Sequence, residues 1–355
     1  MGTKKARFNG ASLFSSAGIA ELNLKEIGID IKVANEMIQK RCDLHNFLYP
    51  DCLMIPGDIT NKAIYEKVNN KIHENKCNFL LATPPCQGMS SLGKKEYSTD
   101  KRNYLIFYVL DIIDSNDFDY ILIENVPKFL KLFFPFEGEV LQLFNICKKK
   151  YSSNYNVDSF ILNAKDYGVP QSRPRGFIRL WKKGLTWEKP KPRREISLKQ
   201  CIGYLPSLEP GEDSGIKWHY AKYHNEREVL AMRHTAEGKS ALKNLIFFPK
   251  KSNGEPISGF HNTYKRMKWD EPSPARAMNS GNLGGHNNGH PGRLLPDGTY
   301  SDPRAMTLRE LFIVSSIDPD WNLPSWVSDN LIRQVIGEAI PPYFAKEICE
   351  GIIKI

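Results

Sequence analysis

The stretch that most constrains the fold is residues 80–91, which read Leu-Leu-Ala-Thr-Pro-Pro-Cys-Gln-Gly-Met-Ser-Ser. It begins as a short apolar run, which is typical of a buried strand. Pro84 and Pro85 have no N–H to donate to a neighbouring strand, so the strand must end before them. Cys86 follows at once. Because ligands of open α/β sheets bind outside the carboxyl ends of the strands, we expect the Cys86 thiol to lie at the mouth of a pocket.

The chain length and the cysteine pattern exclude several classes of protein. The 355 residues are enough for one large domain or two ordinary ones. No apolar run is long enough to span a membrane and the N-terminus lacks an apolar signal segment, so we expect a cytoplasmic protein. The seven cysteines are widely spaced and form no Cys-x-x-Cys. This pattern predicts no disulfide framework and no metal site, and a reducing compartment would keep a reactive thiol free.

The positive charge of the chain is concentrated in its second half. The net charge is +9, and residues 182–300 hold 20 lysines and arginines against 12 acidic residues. A basic, proline-rich connector at residues 189–194 precedes a polar region rich in glycine, asparagine and histidine. The composition predicts a second, smaller domain whose partner is a polyanion.

The first third of the chain has the pattern of a nucleotide-binding α/β fold. A strand ends in the small residues of 13–18, and a helical pattern follows as far as Gly28. Small residues at a strand-to-helix turn let the backbone approach a cofactor closely. The second strand ends in Glu36, where an acid of a Rossmann fold reaches the ribose hydroxyls. A third short strand ends at Gly57 and Asp58.

Two further segments carry residues suited to chemistry. Glu124 ends the apolar strand that starts at residue 120, and a buried acid is costly unless it is paired or used. Arg173 and Arg175 alternate in an extended stretch before a strand at 176–181, so their side chains point the same way. We also expect helices at 104–113 and at roughly 137–149.

Taken together, Pro-Pro-Cys-Gln at 84–87, Glu-Asn-Val at 124–126 and Gln-x-Arg-x-Arg at 171–175 resemble the DNA (cytosine-5)-methyltransferase family of the bacterial restriction-modification type. The resemblance implies a Rossmann-like S-adenosylmethionine-dependent methyltransferase sheet with a second, smaller target-recognition domain. The catalytic and cofactor-binding domain would be residues 1–182 plus 305–355, and the target-recognition domain residues 183–304. The chain departs from the usual motifs where Ser12 replaces an acid, Ser16 and Ile19 replace glycines, and Glu338 replaces asparagine.

The resemblance assigns a role to each catalytic residue. Cys86 would add to C6 of the target cytosine, which makes C5 nucleophilic. Glu124 would contact N3 and the exocyclic amine, and Arg175 would stabilise O2. Arg173 would support the thiolate or a phosphate. The resemblance places these residues around S-adenosylmethionine: Phe14, Ser15, Ser16, Ala17, Gly18, Ile19, Glu36, Met37, Asp58, Ile59, Pro85, Leu105, Glu338 and Ala339.

The resemblance also implies double-stranded DNA as the partner, together with a functionally paired restriction endonuclease. A base inside a duplex cannot present C6 to a thiol, so it must be flipped out. The polar and basic loop at residues 87–103 would close over the phosphates and the target base. Predicted DNA contacts are Gln87, Ser90, Lys94, Lys95, Arg102, Gln171 and Arg304.

Three alternatives remain open from the sequence. The substrate could be tRNA, the chain could be a catalytically inactive DNA-binding homologue, or it could be an unrelated thiol enzyme on a similar sheet. Transfer of labelled methyl groups to DNA or to tRNA distinguishes a DNA substrate from a tRNA substrate. Failure to bind S-adenosylmethionine would favour the inactive homologue.

Overall fold

The computed structural model describes residues 8–85 and 101–352. The chain divides into two compact units, each built from more than one segment. Unit 1 comprises Met1–Asn163, Pro174–Lys191 and Phe344–Ile355, and unit 2 comprises Ala164–Arg173 and Pro192–Tyr343.

Unit 1 is organised around a sheet of seven strands. These are β1 (Phe8–Leu13), β2 (Ile29–Glu36), β3 (Leu53–Pro56), β4 (Phe79–Ala82), β5 (Tyr120–Asn125), β8 (Tyr155–Asn163) and β10 (Pro174–Lys182). The strand order is β3-β2-β1-β4-β5-β10-β8. The first five strands run parallel, whereas β10 is antiparallel to both β5 and β8. The predicted α/β class is confirmed.

Helices connect the parallel strands of unit 1. They are α1 (Gln39–Leu48), α2 (Lys62–Glu74), α3 (Leu105–Ser115) and α4 (Leu143–Tyr151), and α9 (Pro342–Glu350) lies near the C-terminus. Every residue of β4 and of β5 is buried, as expected for parallel strands covered on both faces. Because these strands are parallel, the carboxyl ends of β1, β2, β4 and β5 lie at the same edge of the sheet.

Two predicted helices of unit 1 were wrong. Residues 19–27 form two short 3-10 turns, Ile19–Glu21 and Lys25–Ile27, in which the backbone hydrogen bonds join residues three apart. Gly18 and Gly28, both in left-handed conformations, bound the segment. The helix expected at 137–149 begins only at Leu143. Before it, β6 (Phe133–Phe136) and β7 (Glu139–Gln142) form a hairpin. Glu137 and Gly138 both have positive φ, which suits the two-residue turn of a hairpin.

Unit 2 has short helices and long connections. Its helices are α5 (Leu198–Ile202), α6 (Glu226–Arg233), α7 (Leu308–Val314) and α8 (Asp329–Glu338), and β9 (Gln171–Ser172) pairs with β11 (Ser273–Pro274). One core joins Leu198, Met306 and Val314. Residues 305–343, which the sequence analysis assigned to the catalytic domain, therefore pack within unit 2. A capping box between Thr307 and Glu310 starts α7.

Among the described residues, no helix is both long and apolar enough to cross a bilayer. Within the same ranges, His, Cys, Asp and Glu side chains form no group of three that could hold a metal ion.

Candidate active site

An ion pair between Glu124 and Arg175 lies at the end of β5. Glu124 Oε1 is 2.8 Å from Arg175 Nε, and the two side chains are 7% and 11% exposed. Glu124 faces Phe177 in the pairing of β5 with β10, so Arg175, two residues before Phe177, is its diagonal neighbour on the same face. Arg175 thus places a guanidinium against the buried carboxylate, whereas Arg173 precedes β10 and donates to the carbonyls of Arg276 and Gly337. The two arginines that were predicted to point the same way therefore have different partners. Arg175 also donates from Nη1 to the carbonyl of Pro174.

Asn125 ties the end of β5 to the prolines that end β4. Its Nδ2 donates to the carbonyl of Pro84 at 3.0 Å, and its Oδ1 accepts from the amide of Val126 at 2.8 Å. The residue is 3% exposed. The tie holds the backbone two residues before Cys86. Asn125 is part of the Glu-Asn-Val motif, but the sequence predicts no role for it. Its partner lies 41 residues away, and no local pattern indicates that contact.

Thr83 connects the same strand end to the turn after β1. Its amide donates to the carbonyl of Leu13 at 3.2 Å, and its hydroxyl donates to the carbonyl of Phe14 at 3.1 Å. The end of β4 is therefore held from both sides, by the β1 turn and by Asn125. Pro85 follows at the end of the described range and is half-buried.

Cys86, the predicted nucleophile, lies outside the described residues, as do Gln87, Ser90, Lys94 and Lys95. The six other cysteines are described. Burial raises the pKa of each of their thiols, to about 12 for Cys42, Cys77, Cys147, Cys201 and Cys349, and also upward for Cys52. These six side chains are therefore protonated thiols near neutral pH and unsuited to act as nucleophiles.

The turn after β1 contains three residues with positive φ. Phe14, Ser16 and Gly18 have φ values of 60°, 52° and 74°. Glu36 holds this turn: its Oε2 accepts from the amide of Ser16 at 3.0 Å, and its Oε1 accepts from the amide of Ile38 at 2.8 Å. Ser15, Ala17 and Ile19 complete the turn. The Ser16 hydroxyl oxygen is buried without a hydrogen-bond partner in the described part of the chain.

The backbone that follows β3 is hydrogen-bonded to the end of β2. The carbonyl of Glu36 accepts from the amide of Gly57 at 2.9 Å, and Asn35 Nδ2 donates to the carbonyls of Ile55 and Gly57. Asp58 is exposed, and its Oδ1 accepts from the amide of Thr60. Among the other predicted cofactor residues, Met37 is exposed, Ile59 is buried and Leu105 begins α3.

Buried polar contacts of Tyr49, His45 and Glu21 near the β1 turn were not predicted from the sequence. The Tyr49 hydroxyl donates to the carbonyl of Gly18 at 2.5 Å. His45 Nε2 lies 3.2 Å from Glu21 Oε2, and both side chains are buried. Burial beside Glu21 raises the pKa of Tyr49 well above its ordinary value, so its hydroxyl stays a donor. These residues are 24 to 31 positions from their partners, and no local pattern joins them.

Two predicted DNA contacts are corrected by their burial in unit 2. Gln171 is 1% exposed and donates to the carbonyl of Val314. Arg304 is fully buried and pairs with Asp302 and Glu310, with nitrogen–oxygen distances of 2.8 Å. Both side chains are committed to the interior, so neither has a free face for a phosphate. Arg102, in contrast, is exposed in the 3-10 turn Lys101–Tyr104.

Three more predicted residues belong to unit 2. Arg173 is 3% exposed, and its two terminal nitrogens donate to the carbonyls of Arg276 and Gly337 at 2.9 and 2.7 Å. Glu338 ends α8 and Ala339 follows it. The role predicted for Arg173 concerns the thiolate of Cys86, so it stays a prediction, as do the cofactor contacts of Glu338 and Ala339.

Comparison with known proteins agrees with this arrangement. The model of a family described as C-5 cytosine-specific DNA methylase matches residues 8–354. The chain is 45% identical to the Type II methyltransferase M1.HgaI of Avibacterium volantium, over 98% of this chain and 99% of that protein. It is 27% identical to the Type II methyltransferase M1.HphI of Haemophilus parahaemolyticus, over 96% of this chain and 86% of that protein.

Solved structures show the same fold at low sequence identity. A mutant of Spodoptera frugiperda DNMT2 superposes with a TM-score of 0.63 at 17% identity, covering 98% of this chain and all of that one. The methyltransferase EhMeth of Entamoeba histolytica has a TM-score of 0.65 at 14% identity, covering 98% of each chain. The resemblance predicted from the sequence motifs is confirmed: the chain belongs to the C-5 cytosine-specific DNA methylase family and is a DNA cytosine-5 methyltransferase.

Proposed function

We propose that the protein methylates one cytosine within a specific sequence of double-stranded DNA, and that Cys86 forms a covalent bond to that cytosine. The observation that carries the proposal is the Glu124–Arg175 ion pair at the end of β5, beside the strand end that leads to Cys86. A buried carboxylate with a fixed guanidinium partner can hold a pyrimidine ring by its polar edge.

Cys86 would attack C6 as a thiolate. A carbon–sulfur bond forms, the C5–C6 double bond opens, and the electrons move toward C5, N3 and O2, which makes C5 nucleophilic. After methylation of C5, the C5 proton leaves with a base or water, the C5–C6 double bond returns and the thiolate departs from C6. Five of the six described cysteines are buried, Cys201 is partly buried, and the pKa of each thiol is raised, which supports Cys86 as the nucleophile.

Glu124 would act on N3 and the exocyclic amine of the cytosine. As a protonated acid it can donate to N3, where negative charge develops, and its other oxygen can accept from the amine. Arg175 fixes the orientation of this carboxyl group through Nε, and its guanidinium would stabilise the charge that develops on O2. Each contact of this kind contributes roughly 2–4 kcal/mol to lowering a barrier.

The residues of the β1 turn fit S-adenosylmethionine. Three residues of this turn have positive φ, and Ser16 has a buried hydroxyl that no described group satisfies. Glu36 keeps lone pairs for ribose hydroxyls while one oxygen accepts from the amide of Ser16 and the other from the amide of Ile38. Asp58 would accept from the adenine amine, as the resemblance to the family implies. When bound, S-adenosylmethionine supplies an electrophilic methyl group.

The DNA is proposed to be read by residues 183–304, which belong mostly to unit 2. The excess of basic residues at 182–300 supports a polyanionic partner. Relatives of the Type II class support a restriction-modification role, in which a paired endonuclease cuts the same sequence when it is unmethylated.

The test is transfer of a radiolabelled methyl group from S-adenosylmethionine to duplex DNA or to tRNA, with wild-type protein and Cys86→Ser. We expect label on DNA alone, and no transfer by the variant although it still binds DNA and S-adenosylmethionine. Label on tRNA alone would contradict the proposed substrate, and near-wild-type turnover by Cys86→Ser would contradict the proposed nucleophile.

A further inference from the structure

Two ring side chains at the end of α1 hold the β1 turn at Gly18. His45 and Tyr49 are four residues apart, so they lie on one face of the helix end, and their ring centroids are 4.7 Å apart. The Tyr49 hydroxyl donates to the carbonyl of Gly18 at 2.5 Å, and the amide of Glu21 donates to the same oxygen at 3.1 Å. A carbonyl oxygen has two lone pairs, so both are used and the direction of this carbonyl is fixed.

The two rings also leave Gly18 no room for a side chain. A Cβ built at Gly18 would lie 2.4 Å from Cε2 of Tyr49 and 2.9 Å from Cδ2 of His45. The φ of Gly18 is 74°, a left-handed conformation that glycine adopts at low cost. The rings therefore pack directly against the backbone of the turn, and a shift of either ring would change the position of Gly18.

A buried pair of polar groups ties the residues after Gly18 to the same helix. His45 Nε2 lies 3.2 Å from Glu21 Oε2, and the two side chains are 0% and 1% exposed. In the described part of the chain, Glu21 Oε1 and His45 Nδ1 are buried without a hydrogen-bond partner. Apolar side chains of similar size are often at least as stable in such a place. Stability alone therefore does not account for the pair, whereas a need to fix Glu21 relative to Gly18 does.

The opposite end of the turn is tied to the same segment of the chain. The amide of Ser16 donates at 3.0 Å to Oε2 of Glu36, which ends β2 just before α1. Ser16 has a φ of 52°, and a residue other than glycine keeps this conformation only where its surroundings hold it. Residues 36–49 thus bind the turn at Ser16 and at Gly18, and the shape of the turn depends on both contacts.

We propose that Tyr49 and His45 are positioning residues for S-adenosylmethionine. The carbonyl of Gly18 and the amide of Ile19 belong to one peptide plane and point in opposite directions, so Tyr49 sets the direction of that amide as well. The inference rests on the proposed function, in which residues 14–19 contact the cofactor. Tyr49 and His45 would act through the backbone of the turn without contacting the cofactor themselves. Loss of either ring contact would weaken cofactor binding, because the unbound turn would sample other shapes that binding must then restrict.

The test is calorimetric titration of S-adenosylmethionine into the protein in the absence of DNA. Tyr49→Phe removes the hydroxyl and keeps the ring. The matched control is Tyr155→Phe, because the buried Tyr155 hydroxyl donates to the carbonyl of Phe118 at 2.7 Å in the same unit. Phe118 precedes β5, at the edge of the sheet opposite to the β1 turn. Each variant loses one hydroxyl-to-carbonyl hydrogen bond, and thermal unfolding measures the loss of stability in both.

For Tyr49→Phe we expect the Kd of S-adenosylmethionine to rise about fivefold or more, and the KM for S-adenosylmethionine to rise with it. Tyr155→Phe should stay within about twofold of wild type for both constants, because its hydroxyl is distant from the turn. The affinity for duplex DNA should be the same in all three proteins. Unchanged cofactor affinity of Tyr49→Phe, or an equal loss in both variants, would overturn the inference.

A second variant, His45→Gln, tests the other ring and decides the question if Tyr49→Phe does not fold. The glutamine amide nitrogen can take the place of Nε2 beside Glu21, whereas the ring that packs against Gly18 is lost. The Kd of S-adenosylmethionine should rise here too, and an unchanged Kd in folded His45→Gln would overturn the inference. Wild-type protein that binds no S-adenosylmethionine would contradict the proposed cofactor, and the positioning role would fall with it.

Discussion

Arg175 Nε lies 2.8 Å from Glu124 Oε1, and the two residues come from neighbouring antiparallel strands. A carboxylate this deeply buried would be costly without a partner, so the arginine both stabilises its presence and fixes its direction. We propose a chemical role for Glu124 in addition to this structural one.

Glu124→Gln is expected to reduce kcat by roughly two orders of magnitude or more, because an amide cannot protonate N3. The measurement is single-turnover methyl transfer with saturating DNA. Asp158→Asn is a matched control, since Asp158 pairs at 2.8 Å with Arg179 on β10, the strand that also carries Arg175. The control should lose stability but keep near-wild-type turnover. An unchanged rate for Glu124→Gln would remove Glu124 from the mechanism.

Asn125→Ala is expected to slow methyl transfer because it releases the tie between Asn125 Nδ2 and the carbonyl of Pro84. Loss of the buried hydrogen bonds should also lower the free energy of unfolding by about 1–3 kcal/mol. Asn116→Ala is the control: Asn116 Nδ2 donates to the carbonyl of Ile112 at 2.9 Å, at the end of α3.

The readout that separates positioning from stability is the alkylation rate of Cys86. It should change in Asn125→Ala and not in Asn116→Ala. If both variants alkylate and methylate like wild type, Asn125 does not position the strand end.

Iodoacetamide at pH 8 is expected to modify Cys86 in the native protein far faster than any other cysteine. Burial raises the pKa of the six described thiols, so they remain protonated and shielded at this pH. Mass spectrometry after a short pulse identifies the modified residue, and unfolded protein in denaturant provides the control in which all thiols react. Native modification at Cys42 or Cys147 as fast as at Cys86 would contradict this expectation.

Acid is expected to weaken unit 2 in part through His224. Burial and the nearby charges of Arg333, Lys222 and Arg304 lower the pKa of His224 from 6.5 to about 4, and its Nε2 accepts from the amide of Ala305. Between pH 6.5 and pH 4, His224 is therefore protonated in the unfolded chain and neutral in the folded chain. The contribution of neutral His224 to the free energy of unfolding is complete above pH 6.5 and is lost as the pH falls toward 4.

The contribution of His224 is measured by comparing wild type with His224→Gln at pH 7.5 and at pH 4.5. The loss of unfolding free energy between these two pH values should be smaller in the variant by about 1–2 kcal/mol, after allowance for solvent screening. An identical loss in both proteins would show that His224 does not titrate as described.

The ends of the strands that carry motifs could be predicted from the sequence. Hydrogen bonds between residues far apart in the chain could not. Pro84 and Pro85 mark where β4 must stop, and the apolar run before Glu124 marks a buried strand, so both ends were located correctly. The link from Tyr49 to the carbonyl of Gly18 leaves no local signal, because it depends on how α1 packs beside the β1 turn.

Burial explains the errors at polar residues. Arg304 and an exposed arginine look alike in a sequence, since the ion pairs with Asp302 and Glu310 depend on tertiary structure. The helix expected at 137–149 failed at its start for a local reason, because Glu137 and Gly138 adopt the positive φ values of a hairpin turn.

The central claim is that this chain methylates C5 of one cytosine in a defined DNA sequence by means of Cys86. Bisulfite sequencing of random-sequence duplex DNA, treated with the protein and S-adenosylmethionine, tests it most directly. The account predicts protected cytosines at one position of a single short sequence with wild-type protein, and none with Cys86→Ser. Absence of protection at every cytosine, or protection that survives in Cys86→Ser, would contradict it.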